Sequence, residues 1–141
     1  MQDICGRIDL EDTFVMIKPD GVRRGLIGDV VSRFERRGLT IESMRLETLT
    51  RVKAEEHYIE HRGKPFYEPL VEYVTSGPVV LMIISGNDAV AVCRATIGAT
   101  NPGEAAPGSI RGDLALEISE NVVHGSDSLA SAEREIRLYF Q

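Results

Sequence analysis

The chain has 141 residues, 43% hydrophobic and 27% charged, with a formal net charge of −6. That length fits one domain that can bury its own core without disulfide or metal staples. The acidic balance argues against a general nucleic-acid binder, which would carry a basic excess, but leaves open a local basic cleft.

In chain order, residues 1–11 read as a loose extension ahead of a single domain over residues 12–141. Residues 13–18 (TFVMIK) read as a buried strand ending in a charge, broken by Pro19-Asp20-Gly21. Residues 22–37 place Val22, Leu26, Ile27, Val30, Val31 and Phe34 at helical spacing, and Gly38 closes the helix. Residues 39–49 alternate apolar and polar, the pattern of a half-buried strand. Two short helices over 53–61 and 66–75 follow, then a strand over 79–85 (VVLMIIS) buried on both faces. Residues 87–97 read as a helix capped by Asn87 or Asp88. Residues 98–117 hold four glycines and two prolines and read as a long irregular loop, a kind of segment that is usually functional. Val122 and Val123 mark a short last strand, and residues 131–140 a final helix. This order specifies an α+β sandwich of the ferredoxin-like split βαβ type. Its four-stranded antiparallel sheet is covered by helices, which are expected to pack on one face.

The longest apolar run, residues 79–84, is far too short to span a bilayer. The beginning of the chain, with Asp3, Asp9, Glu11 and Asp12, does not read as a signal peptide. Cys5 and Cys93 form neither metal-ligand spacing nor a disulfide framework, which fits a reducing compartment and makes the cytoplasm the expected location.

The usual phosphate-cradling loop G-x-x-x-x-G-K-[ST] is absent, as are G-x-G-x-x-G, H-E-x-x-H and C-x-x-C. The three histidines are His57, His61 and His124. His57 and His61 lie four apart among Glu55, Glu56, Glu60 and Arg62, and read as a solvated helix face, with a weak metal site as the alternative. His124 follows an apolar pair and enters Gly125-Ser126-Asp127, where a ring is presented rather than packed; a satisfied structural histidine is the competing reading. As a nucleophile it would need a carboxylate on its second nitrogen and a hydroxyl to fix that carboxylate. Glu133 or Glu135 on the last helix, together with Ser126, could supply them. A transferring phosphoryl group also needs cations, for which Lys18, Arg94 and Arg111 are the candidates, each also readable as an ordinary surface charge.

Seven segments together resemble the nucleoside diphosphate kinase family across residues 13–140. They are residues 13–22 (TFVMIKPDGV), 23–28 (RRGLIG), 64–67 (KPFY), 76–79 (SGPV), 98–102 (GATNP), 107–113 (PGSIRGD) and 121–128 (NVVHGSDS). The last carries the family's active-site signature. The resemblance implies that His124 accepts the phosphate on its δ nitrogen, that Glu135 holds the other nitrogen, and that Ser126 bonds that carboxylate. It implies that Lys18 and Asn121 meet the sugar 3′-hydroxyl, and that Tyr58 lies near Lys18 and the γ-phosphate. Arg94, Thr100 and Arg111 would hold the outer phosphates, while Phe66 and Ile118 sandwich the base. Magnesium would bridge the β and γ phosphates, with Asp127 touching it through water. The implied partners are nucleoside triphosphates and diphosphates, ribo and deoxy, and further copies of the chain in a homohexamer, or a tetramer. The chain ends at Gln141, where many family members continue toward a neighbouring subunit. No membrane and no nucleic acid as primary partner are expected. The alternatives are a non-catalytic nucleotide-binding module and a regulatory interaction protein of the same fold.

Overall fold

A computed structural model describes residues 10–141; residues 1–9, most of the expected extension, lie outside the described residues. Strands β1 (Leu10–Ile17), β2 (Thr40–Glu47), β3 (Val79–Asn87) and β4 (Val123–Gly125) form one sheet in the order β2-β3-β1-β4. Each neighbouring pair is antiparallel. Strand β1 takes in Leu10 and Glu11, which the sequence assigns to the extension. They pair with Asn87 and Gly86, and the Glu11 carboxylate accepts the Val90 backbone N–H at 3.1 Å.

Helices cover both faces of the sheet, not one. The reason lies in the central strands, whose side chains are apolar on both sides. Val15 and Ile17 of β1, with Val80, Met82 and Ile84 of β3, face one layer. That layer is α2 (Ile27–Arg36), α5 (Ala89–Ile97) and α6 (Ile110–Leu114), contributing Val30, Phe34, Cys93, Ile97 and Ile110. Phe14 and Met16, with Val79 and Leu81, face the other. There α3 (Arg51–His57), α4 (Tyr67–Val74) and α7 (Leu129–Phe140) contribute Ala54, Val71, Val74 and Tyr139.

The helix expected over residues 22–37 is two helices, α1 (Pro19–Arg23) and α2. Proline at the first turn suits α1, and Gly25, at φ 74, lets the chain turn left-handed between the two. Asp88 is the residue before α5, but it sits in the left-handed region and its side chain makes no cap bond. The long loop is partly regular. It contains a 3-10 turn at Pro102–Glu104 and helix α6, whose first turn is capped by the Ser109 hydroxyl accepting the Gly112 N–H at 3.0 Å.

Candidate active site

The short strand β4 decides which way His124 points. His124 pairs with Met16, so it emerges on the Met16 face of the sheet, toward α3 and α7. Two residues earlier the backbone is bent: Val122 has φ 74, a left-handed conformation that costs a β-branched residue on the order of 1–3 kcal/mol. The surroundings hold it there. The fully buried Asp20 accepts the Val122 N–H on Oδ2 at 3.0 Å. Its other oxygen accepts the Tyr73 hydroxyl, which in turn accepts the Asp20 N–H at 3.0 Å. Asp20→Ala is therefore expected to lower stability by about 2–4 kcal/mol, because it orphans the buried Val122 N–H and the Tyr73 hydroxyl and leaves the strain at Val122 without the contacts that offset it. Urea unfolding measures this, and a loss under half a kcal/mol would contradict it.

Helix α7 supplies the carboxylate. His124 Nε2 lies 2.9 Å from Glu135 Oε1, and the Ser126 hydroxyl donates to the same oxygen at 2.6 Å. Glu135 is 4% exposed. Burial alone would push its carboxyl up, but the hydrogen bond and charge of His124, His57 nearby and the Ser126 hydroxyl bring it down to about 2. It stays a carboxylate, so it accepts a hydrogen bond from Nε2–H and leaves Nδ1 of a neutral His124 with a free lone pair. Glu133, the other acid considered on this helix, is exposed and makes no such contact among the described residues.

Four cations line the cleft of about 290 Å³ into which His124 opens: Lys18, Arg94, Arg111 and Arg134. Arg111, 4% exposed, donates to the carbonyls of Asn121 at 3.3 Å, Gly98 at 3.2 Å and Val123 at 2.6 Å. It thereby ties the long loop to the strand that carries His124, with two of its five N–H donors left over. Burial, then the charge of Arg94, lowers Arg111 to about 10. Arg94 donates to the Gly125 carbonyl at 3.2 Å. Lys18 donates to Asn121 Oδ1 at 2.8 Å, and Asn121 Nδ2 donates to the Thr100 carbonyl at 3.0 Å.

Burial, then the charge of Arg111, lowers Lys18 to about 8. A cation with a lowered pKa is charged below that value and loses its charge as pH rises through it. Anion binding in this cleft should then weaken above about pH 8, which binding isotherms of inorganic phosphate taken between pH 6 and 10 would show. A profile flat to pH 10 would show that Lys18 is not needed as a cation.

Thr100, Tyr58 and Asp127 also line this cleft. Burial, then the charge of Glu135, pushes Tyr58 up to about 12, so its phenol stays protonated. Phe66 and Ile118 instead line an adjoining apolar cleft of about 370 Å³, which shares Lys18 and Leu70 with the first. Both are large apolar side chains left open, 46% and 56% exposed. The structure thus brings all the site residues named from the sequence to one continuous double cleft, with Ser126 beneath it.

It also adds residues the sequence reading missed. His57 is not on a solvated face: it is 5% exposed, and its ring meets that of His124 edge-on with centroids 4.8 Å apart. Ala54, buried one turn earlier on α3, was the available signal, since it places His57 on the inward stripe. Asp20 was legible only as a turn residue, because its acceptor role depends on a backbone 102 residues away.

Two independent kinds of likeness cover nearly the whole chain. The family model for nucleoside diphosphate kinase matches residues 11–141. Curated nucleoside diphosphate kinases from Archaeoglobus fulgidus and Saccharolobus islandicus are 59% and 60% identical over 131 residues. That is 93% of this chain in both cases, and 87% and 95% of those proteins. Among solved structures, a halophilic nucleoside diphosphate kinase from Halobacterium salinarum in complex with CDP superposes with a TM-score of 0.91 at 48% identity. A nucleoside diphosphate kinase family protein from Babesia bovis gives 0.91 at 43%. Each pairing covers 93% of this chain and 88% of the other. With a histidine held by a buried carboxylate at the floor of a cationic cleft, and these likenesses running the length of the domain, the chain belongs to the nucleoside diphosphate kinase family and is an enzyme of that class.

Proposed function

We propose that the family reaction runs in this chain through His124. The observation that carries this reading is the 2.9 Å contact of His124 Nε2 with the ionised Glu135, which leaves Nδ1 free in a cleft lined by four cations. Nδ1 would attack the γ-phosphorus of a nucleoside triphosphate. A P–N bond forms as the bond to the β-phosphate oxygen breaks, and the nucleoside diphosphate leaves with that electron pair. A second diphosphate then attacks the phosphohistidine through its terminal oxygen, in the reverse chemistry. One site serves both halves, so the kinetics are ping-pong. Lys18, Arg94 and Arg111 face the charge that spreads over the phosphoryl oxygens, with Thr100 and Tyr58 as hydroxyl donors. Lys18 and Asn121 meet the sugar 3′-hydroxyl.

Phe66 and Ile118 clamp the base by its faces. Such contacts ignore base edges, so purine and pyrimidine nucleotides, ribo and deoxy, are all substrates in this reading. The CDP held by the Halobacterium salinarum relative is consistent with that breadth.

Magnesium enters with the nucleotide. Asp127 is an exposed carboxylate at the cleft that makes no hydrogen bond or ion pair among the described residues, and one carboxylate with substrate phosphates suits a small hard cation. Bound there through water, the ion would neutralise β- and γ-phosphate charge. The closer cluster of His57, His124 and Glu135 offers nitrogen donors already engaged with the carboxylate, a poor match for magnesium.

Self-association is part of the same reading, as a hexamer or a tetramer. Edge strand β2 exposes Met44 and Leu46, and the end of the long loop exposes Leu116 at 88%, apolar surface that a second copy would cover. Among the described residues no helix is long and apolar enough to cross a membrane. A cytoplasmic location is consistent with the unpaired Cys93.

The test is incubation with γ-labelled ATP and magnesium. A label lost in acid, stable in alkali and discharged by GDP or a deoxynucleoside diphosphate supports the reading; a folded protein that binds ATP and takes no label refutes it.

A further inference from the structure

Beneath the nucleophile lies a second layer of buried polar groups. His57 Nδ1 is 2.7 Å from the Tyr139 hydroxyl, and His57 Nε2 is 3.9 Å from Glu135 Oε2, an electrostatic contact rather than a hydrogen bond. Arg134 Nη2 approaches the same oxygen at 3.7 Å. Glu135 Oε1 is meanwhile taken by His124 and Ser126. The Tyr139 ring stacks on Phe14 with centroids 4.9 Å apart and planes 11° from parallel, so its hydroxyl is held in place by packing.

Only one arrangement of protons satisfies this layer. If the Tyr139 hydroxyl donates to Nδ1, His57 carries its proton on Nε2 and turns N–H toward the carboxylate. If instead Nδ1–H donates to the tyrosine, the Nε2 lone pair faces the negative Oε2, and the hydroxyl proton needs an acceptor that no contact among the described residues supplies. A doubly protonated His57 is disfavoured too. Burial, then the neighbouring His124, holds its pKa down to about 3. A neutral ring matters here, because His124 gains positive character as it takes the phosphoryl group, and a cation 4.8 Å away would oppose that.

We propose that Tyr139 and His57 are positioning residues: the tyrosine hydroxyl fixes the His57 tautomer, and His57 Nε2–H in turn orients Glu135 so that His124 keeps its proton on Nε2. This rests on the phosphohistidine reading and extends it to a buried histidine at the cleft floor and to a tyrosine behind it that does not line the cleft. Outer partners that orient metal-ligating histidines typically alter activity about 10- to 100-fold, and a comparable scale is expected for partners that orient the carboxylate of His124.

The experiment uses Tyr139→Phe, which removes one oxygen and keeps the stack on Phe14. The rate of His124 phosphorylation by ATP is measured by rapid quench, the ADP dissociation constant by calorimetry, and the histidine tautomers by ring-nitrogen NMR. The expected result is a phosphorylation rate lowered about ten-fold, an unchanged ADP dissociation constant, and a His57 signal moved away from the Nε2–H tautomer. His57→Gln, which can still offer an N–H near Nε2, should keep more of the rate than His57→Leu. An unchanged phosphorylation rate in Tyr139→Phe, or equal rates in the two His57 variants, would overturn the proposal. If the wild-type chain takes no label, the phosphotransfer reading fails instead, and the ring-nitrogen spectra still decide the tautomer.

Discussion

Replacing His124 with alanine is expected to lower phosphotransfer by about a million-fold, the scale of removing a nucleophile that acts as a unit with its partners. Nucleotide affinity should stay within a few-fold. The cations and the base clamp come from other elements: Lys18 follows β1, Arg94 lies on α5, Arg111 on α6, and Phe66 precedes α4. The fold should also survive. His124 is partly exposed, and without it Glu135 keeps the Ser126 hydroxyl at 2.6 Å and Arg134 at 3.7 Å. Single-turnover transfer from ATP, with ADP binding measured on the same preparation, separates the two effects. Transfer surviving at one per cent of wild type would mean that the phosphate passes directly between nucleotides, and the ping-pong scheme would fall.

The second large effect is expected at Glu135. In Glu135→Gln the side-chain amide can present its NH₂ rather than an acceptor to His124, which favours the unproductive tautomer. A wrong tautomer costs a histidine base up to about 10⁴-fold in turnover in a comparable constellation, and a loss of about 10²–10⁴-fold is expected here. KM should change little, since Glu135 lies beneath the nucleophile rather than against the nucleotide. The same substitution has a signature in stability against pH. The folded carboxyl sits at about 2 against an ordinary 4.5, so it is a depressed group. Its stabilisation is fully present above about pH 4.5 and is lost as pH falls toward 2, with a size on the order of 3 kcal/mol. Acid titration followed by circular dichroism should show the wild type losing more stability than Glu135→Gln between pH 5 and 2. Parallel curves would show that Glu135 is not held as an ion by its neighbours.

Both expectations rest on contacts between residues close in sequence; that nearness put Glu133, Glu135 and Ser126 forward as partners of His124, and the family resemblance singled out Glu135. Ser126 and Glu135 are only nine positions apart, on a turn and the helix that follows it. Local periodicity also located β1, β3 and α7, because strong apolar runs and helical stripes are properties of a segment by itself. Two local features did mislead. Gly25 was read through as part of a helix, although its positive φ splits α1 from α2. The helix carrying His57 looked solvated because Glu55, Glu56, Glu60 and Arg62 surround it in sequence, while one inward stripe was enough to bury it.

The sequence alone determined the element types of the core and the α+β class, which are written in spacing, and the family resemblance, which is written in short contiguous motifs and which in turn implied most of the residues that gather at the cleft. Only the tertiary structure decided three other things. Helices lie on both faces, because β1 and β3 sit in the interior of the sheet and expose no face to water. Asp20 clamps the bend at Val122 across 102 residues. Tyr139 reaches His57 across 82 residues. Such contacts leave no periodic trace, because a buried polar group is placed by whichever distant donor or acceptor the packed layers bring within about 3 Å.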